Sequence, residues 1–486
     1  MKDSVACFQF SSGSLHLAAS IEVSESASGD LENLDYFWWG SRTRYPSIMA
    51  RQLDTFLSDA SPKIIKVLLG ASRFKKINLN PRVKLPKHYF EPARDVLLLQ
   101  LSNCQDLDSL YMLDFEGITP GPAISNALAF ETQGKIDKID AHRATLKKLL
   151  ISYLEIYFLA SEHIKKEDYK SVIVYNGRFL HERAVWDACK NLGQDVILYE
   201  TVRDRFHYRH NQGFHNHFVN QQVMIDHWNN SEFSLEKKVE IGSRYFEDLS
   251  SVKNAFYNPP SGPVVSKRKN IVFFSNSDDE YVGFRENGIL PDQLETIFQI
   301  AKYLNCSNDY DFVVRLHPNL KNKSLSEQER WGALSGIPTI RIFDQFSLQD
   351  SYELMRNASG VISFGSTIGL EASFWEIPSL VFGECSYGRL GAVDTVTNMG
   401  EFFSWIDTLP LVKQQLGVRK QNACIRGFWL ETGGSKIENS KLLESGWGAW
   451  EVNEFRGVSL KPRRLSRDIH LVQNLIKRKW RGFHRK

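Results

Sequence analysis

Apolar residues in this chain fall into short runs separated by longer stretches of helical spacing. Val5–Phe10, Tyr36–Gly40, Ser171–Gly177 and Asp195–Glu200 are such runs in the first half. Asn270–Ser275, Asp311–Leu316, Thr339–Phe343, Gly360–Phe364 and Ser379–Gly383 follow in the second. Their length and their β-branched and aromatic content predict strands. Helical patterns lie between them: a stretch from near His16, Lys135–Lys166, His181–Gly193, Gln293–Asn305, Asp350–Asn357 and Thr367–Glu376, the last stopped by Pro378. Strands that alternate with helices predict parallel sheets, because parallel neighbours need a long crossover. The expected fold class is therefore α/β: two Rossmann-like doubly wound domains facing a cleft.

The break between the halves is Tyr257–Lys269, YNPPSGPVVSKRK, whose three prolines and glycine continue neither a helix nor a central strand. It divides the chain into an N-terminal domain at 1–256, a linker at 257–269, a C-terminal domain at 270–435 and an extension at 436–486. With 42% hydrophobic and 24% charged residues, the composition is globular. The six cysteines are scattered and form no CxxC pair, the usage of reduced thiols in a cytoplasmic protein. MKDSVACFQF lacks the pattern of a secretory signal, and Leu149–Ala160 is interrupted by Glu155 and too short to span a bilayer.

The net charge of +3 is uneven: residues 461–486 carry ten Lys/Arg against one acid, Asp468, so the remainder is acidic. An acidic body argues against nucleic acid as the partner. Leu471, Val472, Leu475, Ile476 and Trp480 recur at helical spacing beside Lys477, Arg478, Lys479 and Arg481. That pattern predicts a basic amphipathic tail, suited either to packing on the fold or to peripheral contact with anionic lipid at the inner face of the cytoplasmic membrane.

The candidate chemistry lies just beyond predicted strands, where open α/β sheets bind ligands. After Gly360–Phe364 come Gly365, Ser366 and Thr367 and then a helix, whose free N–H groups and dipole favour a phosphate. Glu371 lies one turn on, placed to accept from ribose hydroxyls, and Gly369 leaves room for a ligand or a neighbouring domain. His317 and Pro318 end another strand, and Ser275 and Ser277 follow a third, as polar contacts to the same ligand. Asp278 and Asp279 are of a type that can bind a metal, but they read as polar loop contacts to the ligand, and no metal site is assigned. In the first half, Arg178 is a candidate to stabilise the leaving group, and Glu182 or Glu200 to act as general base. Gly13 and Asn176 lie on the same expected edge. The four histidines of HYRHNQGFHNH, His207–His217, match no zinc spacing and read as a loop lining an acceptor groove.

FFSNSDDE, VVRLHPN and ISFGSTIGLEASFWEIPSLVFGECSYGRLG, with YNGRFLHERAVWDACKNLG earlier, resemble the capsule polysaccharide biosynthesis proteins. These include Kdo transferases that use CMP-Kdo, within the wider GT-B glycosyltransferases and related UDP-GlcNAc 2-epimerases. The resemblance covers most of residues 1–400 and is most specific in the second domain. It implies an interdomain nucleotide-sugar site without obligatory metal or other cofactor, His317 on the nucleotide, Ser366 and Thr367 on phosphate, and Glu371 on ribose. The expected activity is transfer of a sugar from a CMP-, UDP- or GDP-sugar to a saccharide or lipid-linked acceptor. A nucleotide-sugar epimerase and a non-catalytic polysaccharide or membrane-associated scaffold are the alternatives. Motifs that Kdo transferases carry in the first domain have no match here.

Overall fold

The computed structural model describes residues 4–10, 14–28, 34–38, 87–132, 139–214, 216–251, 269–276, 292–307, 309–322, 325–438, 440–445, 449–455 and 458–459. Gly13, His215, the prolines of the linker, Ser277, Asp278, Asp279 and the tail at 461–486 lie outside them.

The first half runs β1 (Val5–Gln9), α1 (Ser14–Ser28), β2 (Leu34–Trp38), α2 (Lys87–Asn103), α3 (Leu107–Tyr111), α4 (Gly121–Thr132), α5 (Arg143–Glu167), β3 (Ser171–Tyr175), α6 (Leu180–Leu192), β4 (Val196–Val202) and β5 (Arg205–His210). Next come α7 (His217–Asn230) and α8 (Leu235–Ser251). The second half runs β6 (Lys269–Phe274), α9 (Gln293–Ser307), β7 (Tyr310–Arg315), α10 (Leu325–Gly332), β8 (Ile340–Phe343), α11 (Ser351–Arg356), β9 (Gly360–Ser363), α12 (Thr367–Phe374), β10 (Ser379–Phe382) and β11 (Asp394–Val396). It closes with α13 (Met399–Val412), α14 (Leu416–Thr432), β12 (Ser435–Lys436), β13 (Ser440–Ser445), β14 (Ala449–Phe455) and β15 (Val458–Ser459).

Two six-stranded sheets result, ordered β12-β5-β4-β3-β1-β2 and β11-β10-β9-β6-β7-β8. The second is parallel throughout; the first is parallel except at β5 and β12. In both, the strand order reverses around the first strand of the sheet, which is doubly wound topology. β13, β14 and β15 form a separate antiparallel sheet.

The strand sequences follow from burial on two faces. Along β6, Ile271 and Phe273 enter one apolar cluster while Val272 and Phe274 enter another. Ala6 and Phe8 of β1 likewise face away from Val5 and Cys7. With period two and both faces covered, the strands read as unbroken apolar runs. β5, RFHYRH, is different: on the side away from β4 it borders only the short β12, and Tyr208 and His210 are exposed. Its polar composition hides it, and the histidine stretch expected as one loop is a strand, a turn and the start of α7.

α7 and α8 precede the linker in sequence yet bury Met224, Trp228, Ile241 and Phe246 with Leu370, Phe374, Val381 and residues of α14. The α8 and α14 backbones touch where they cross: a Cβ on Gly242 would stand 2.3 Å from the Cys424 carbonyl oxygen. After α14 the chain returns to the first sheet through β12, and Ile437, Val452 and Phe455 fill the cluster around α1. Arg205 of β5 secures that return by donating to the carbonyls of Thr432, Gly433 and Gly434 at the α14 C-terminus.

Candidate active site

On the second sheet, β9, β6 and β7 are neighbours, so the residues that follow them meet on one edge. Ser275 is buried, and its hydroxyl accepts the His317 N–H at 2.9 Å. Asn276, also buried, donates its side-chain amide to the Phe364 carbonyl at 2.6 Å and its backbone N–H to Gln293 Oε1 at 2.9 Å. These bonds tie the three strand ends together. Ser275 thus holds His317 in place from below the edge.

The His317 ring is half-buried. Its Nδ1 accepts the Asn319 N–H at 3.1 Å, so the proton of the neutral ring sits on Nε2. Pro318 opens the short helical turn Pro318–Asn322. Arg315, although next to this site, is buried and spans the β8–α11 loop, donating to the Asp344 and Ser347 carbonyls.

β9 leaves through Gly365 at φ +80°, a left-handed turn that only glycine takes without strain. Ser366 then occupies the N-cap of α12 with extended backbone, but its side chain makes no capping bond. The hydroxyl and the first N–H groups of the helix are therefore available at an edge where Gly365 and Ser366 are partly exposed and Thr367 fully so. Tyr387 fixes this corner by donating to the Ser366 carbonyl.

Two expectations meet a different environment. Gly369 does not make room for a ligand or for the other domain: a Cβ there would lie 2.9 to 3.2 Å from the hydroxyls of Ser363, Tyr387 and Ser379, all within the second domain. Glu371 is buried and accepts the Tyr352 hydroxyl. Burial raises its pKa, against the opposing pull of Tyr352, Thr367 and Arg426.

The edge of the first sheet carries a second cluster. β3 leaves through consecutive left-handed residues, Asn176 at φ 56° and Gly177 at φ 73°. Asn176 is the kind of non-glycine residue that tolerates this, and the turn aims its amide at the next strand. There Glu200 accepts from Tyr175 Oη at 2.6 Å and from Asn176 Nδ2. Burial pushes the Glu200 carboxyl up to about 7, against the opposing pull of Tyr175, the Thr201 backbone and Arg178. His16 packs its ring on Tyr175 at 4.5 Å and shares a 3.2 Å hydrogen bond with Thr201.

Arg178 is half-buried and held from both sides by Asn126, whose Oδ1 accepts from Arg178 Nε at 3.3 Å and whose amide donates to the Arg178 carbonyl. Glu182 is buried rather than solvated, and its charge reaches the same tyrosine, Tyr175. The sequence pointed to Arg178, Glu182 and Glu200. It gave no signal for Tyr175, His16 or Asn126, whose roles arise only from adjacency in the sheet and the helix above it.

The histidines of 207–217 separate. His207 is buried, stacks on Trp429 at 4.2 Å and is pushed down to about 4 by burial and by Arg205 and Arg209. His210 is exposed beside Asp195, and His217 begins α7. Among the described residues no three His, Cys, Asp or Glu side chains converge as a metal site.

The two edges are connected. Arg203, in the β4–β5 turn, pairs with Glu431 of α14 and stands over the Tyr245 ring of α8 at 5.5 Å. Tyr245 in turn lies in the field of Arg426 and Glu371. A short chain of side chains thus runs from the Glu200 edge to the Ser366 edge.

Comparison with protein-family models and with curated protein sequences gives no match. Among solved structures the chain is similar to the β-Kdo 2,4 transferase KpsC of Thermosulfurimonas dismutans, at 12% identity and TM-score 0.33 over 48% of this chain and 75% of that one. It is similar to the glycosyltransferase SnogD of Streptomyces nogalater, at 12% identity and TM-score 0.26 over 89% and 96%. It is also similar to the UDP-GlcNAc 2-epimerase of Methanocaldococcus jannaschii, in complex with UDP-GlcNAc and UDP, at 11% identity and TM-score 0.28 over 96% and 99%. Likeness at this level carries no argument, and the fold assignment rests on the strand order. Among the described residues no helix is long and apolar enough to cross a membrane.

Proposed function

We propose that the chain is a glycosyltransferase that binds a nucleotide-activated sugar at the Ser366 edge and passes the sugar to an acceptor activated at the Glu200 edge. The observation that carries this reading is Glu200: a carboxyl held by Tyr175 and Asn176 and tuned to about 7, on an edge joined to an open helix N-terminus. A general base works best with a pKa near the working pH. Glu200 takes the proton of an acceptor hydroxyl as that oxygen attacks the anomeric carbon, and the bond to the nucleotide phosphate breaks. The negative charge that develops on the leaving phosphate is met by the N–H groups of α12, the hydroxyls of Ser366 and Thr367, and the Nε2–H of His317. Glu182, buried with its charge felt at Tyr175, is the second candidate for that base. Donor classes that fit are CMP-Kdo and UDP- or GDP-sugars, and the resemblance of the second-domain motifs points to surface polysaccharide as the product. The tail at 461–486 would hold the enzyme against anionic lipid beside a growing chain.

The test is a thermal-shift screen against CMP, UDP, GDP and ADP, followed by turnover of the matching sugar nucleotide with and without a saccharide acceptor. A ligand that binds only the native state raises its melting temperature. Acceptor-dependent release of nucleotide supports the transferase. Conversion of the free sugar nucleotide without acceptor establishes the epimerase instead, and no response to any nucleotide removes both.

A further inference from the structure

On β5, Arg209 is a buried cation without a counter-charge among the described residues. It is 8% exposed, its side chain forms no hydrogen bond or ion pair among the described residues, and its Nη1 is enclosed without an acceptor. The guanidinium carbon stands 4.6 Å from the Phe214 ring. Desolvation alone lowers its pKa, to about 10, because no carboxylate stands close enough to offset it.

A second buried donor belongs to the same cluster. Trp186 of α6 is 7% exposed, and its indole N–H also lacks an acceptor. The turn after β5 joins the two residues: a Cβ on Gly213 would stand 2.7 Å from the Trp186 ring, and Phe214, next in sequence, lies under Arg209. Arg209 also faces Leu198 in the β4–β5 register, and Leu198 packs in one cluster with Trp186.

The surroundings are cationic. Arg183 and Lys190 lie over the Trp186 ring at 5.0 and 3.9 Å. Neighbouring carboxylates are already committed, Asp187 to Arg183 and Tyr153, and Asp195 to Asn211. β12 pairs only with Arg205 and Phe206, so no described strand covers the flank of β5 at Arg209. Burying a guanidinium without an anion is strongly unfavourable, and buried polar groups left unpaired call for a missing partner.

We propose that Arg209 and Trp186 Nε1 form an oxyanion subsite on the flank of the first domain, separate from the nucleotide edge, which takes a phosphate or carboxylate group. Arg209 supplies the charge and the fork of donors, and Trp186 the second, neutral donor. Such a group occurs on phosphorylated lipid carriers and on acidic saccharides, so the subsite suits an extended, anionic acceptor or product.

The experiment measures the melting temperature of the whole protein in phosphate against chloride at equal ionic strength. It uses a Ser366→Ala/Thr367→Ala background, so that phosphate at the nucleotide edge does not contribute. A saturable rise of a few degrees is expected, abolished by Arg209→Met, whose protein in chloride melts no lower than its parent. No rise in that background, or a rise that survives Arg209→Met, overturns the proposal. Should Arg209→Met fail to fold, Trp186→Phe keeps the ring and removes the N–H. A several-fold higher phosphate requirement is then expected, and an unchanged one overturns the subsite. Acetate run alongside separates the sources: a rise with phosphate only assigns phosphorylated ligands, and a rise with both admits carboxylates. None of these outcomes depends on the glycosyltransferase reading, which the nucleotide screen tests by itself.

Discussion

Replacing Glu200 by glutamine tests whether the site has been tuned at the expense of stability. The folded protein holds this carboxyl at about 7, against an ordinary value of 4.5. Between these values the unfolded chain releases the proton while the folded chain keeps it. Stability contributed by this group is therefore greatest below pH 4.5, falls as pH rises through 7, and is lowest above that. At 1.36 kcal/mol per pH unit the penalty at pH 8 is about 3 kcal/mol. Glu200 keeps part of its surface, and glutamine accepts from only one of Tyr175 and Asn176 at a time, so the gain expected from the substitution is smaller, roughly 1–2 kcal/mol. Urea unfolding at pH 8 and at pH 5 measures it: Glu200→Gln is more stable than wild type at pH 8, and the advantage disappears at pH 5. Turnover in the same variant falls by about 10²–10⁴, the usual contribution of a general base. Wild-type kcat/KM rises on an acid limb with an apparent pKa near 7 that the variant lacks. A variant less stable at pH 8, or one with normal turnover, refutes the reasoning.

The Ser366→Ala/Thr367→Ala variant loses nucleotide binding by calorimetry with a nearly unchanged melting temperature, because neither hydroxyl makes a cap that the fold requires; retained binding removes the phosphate assignment. Asp394→Ala strips the paired 2.8 Å bonds from Arg419, a buried arginine, and the 2.7 Å bond from Trp405 Nε1. It costs about 3–5 kcal/mol in urea unfolding, and a cost below 1 kcal/mol shows that water replaces the carboxylate. His207 is held neutral to about pH 4 while the unfolded chain takes a proton near 6.5, so its contribution to stability is present above 6.5 and is lost as pH falls toward 4. His207→Phe preserves the stack on Trp429 and flattens that acid limb in pH-dependent melting; an unaltered limb assigns it to other groups.

Much of the fold was legible because it follows from periodicity. β3, β4, β6, β7, β9 and β10 are buried on both faces, and their apolar runs begin and end within one or two residues of the observed strands. The turns after them carry the ligand-binding residue types, so His317, Gly365 and Ser366 were visible as candidates. β5 was not visible, since an edge strand that buries Phe206, His207 and Arg209 looks like a polar loop until its neighbour is known.

Local sequence alone determined the strands buried on both faces and the helices between them, and hence the doubly wound class, because backbone geometry couples a fixed side-chain period to burial. Only the tertiary structure decided which strands are neighbours, that α7 and α8 bury against the second sheet, and that Gly369 serves packing. It likewise decided the state of Glu200. Burial raises its carboxyl, against the pull of Tyr175 and Arg178, and the groups that enclose and bond it come from β3 and the turn after it, positions that no local pattern connects to residue 200.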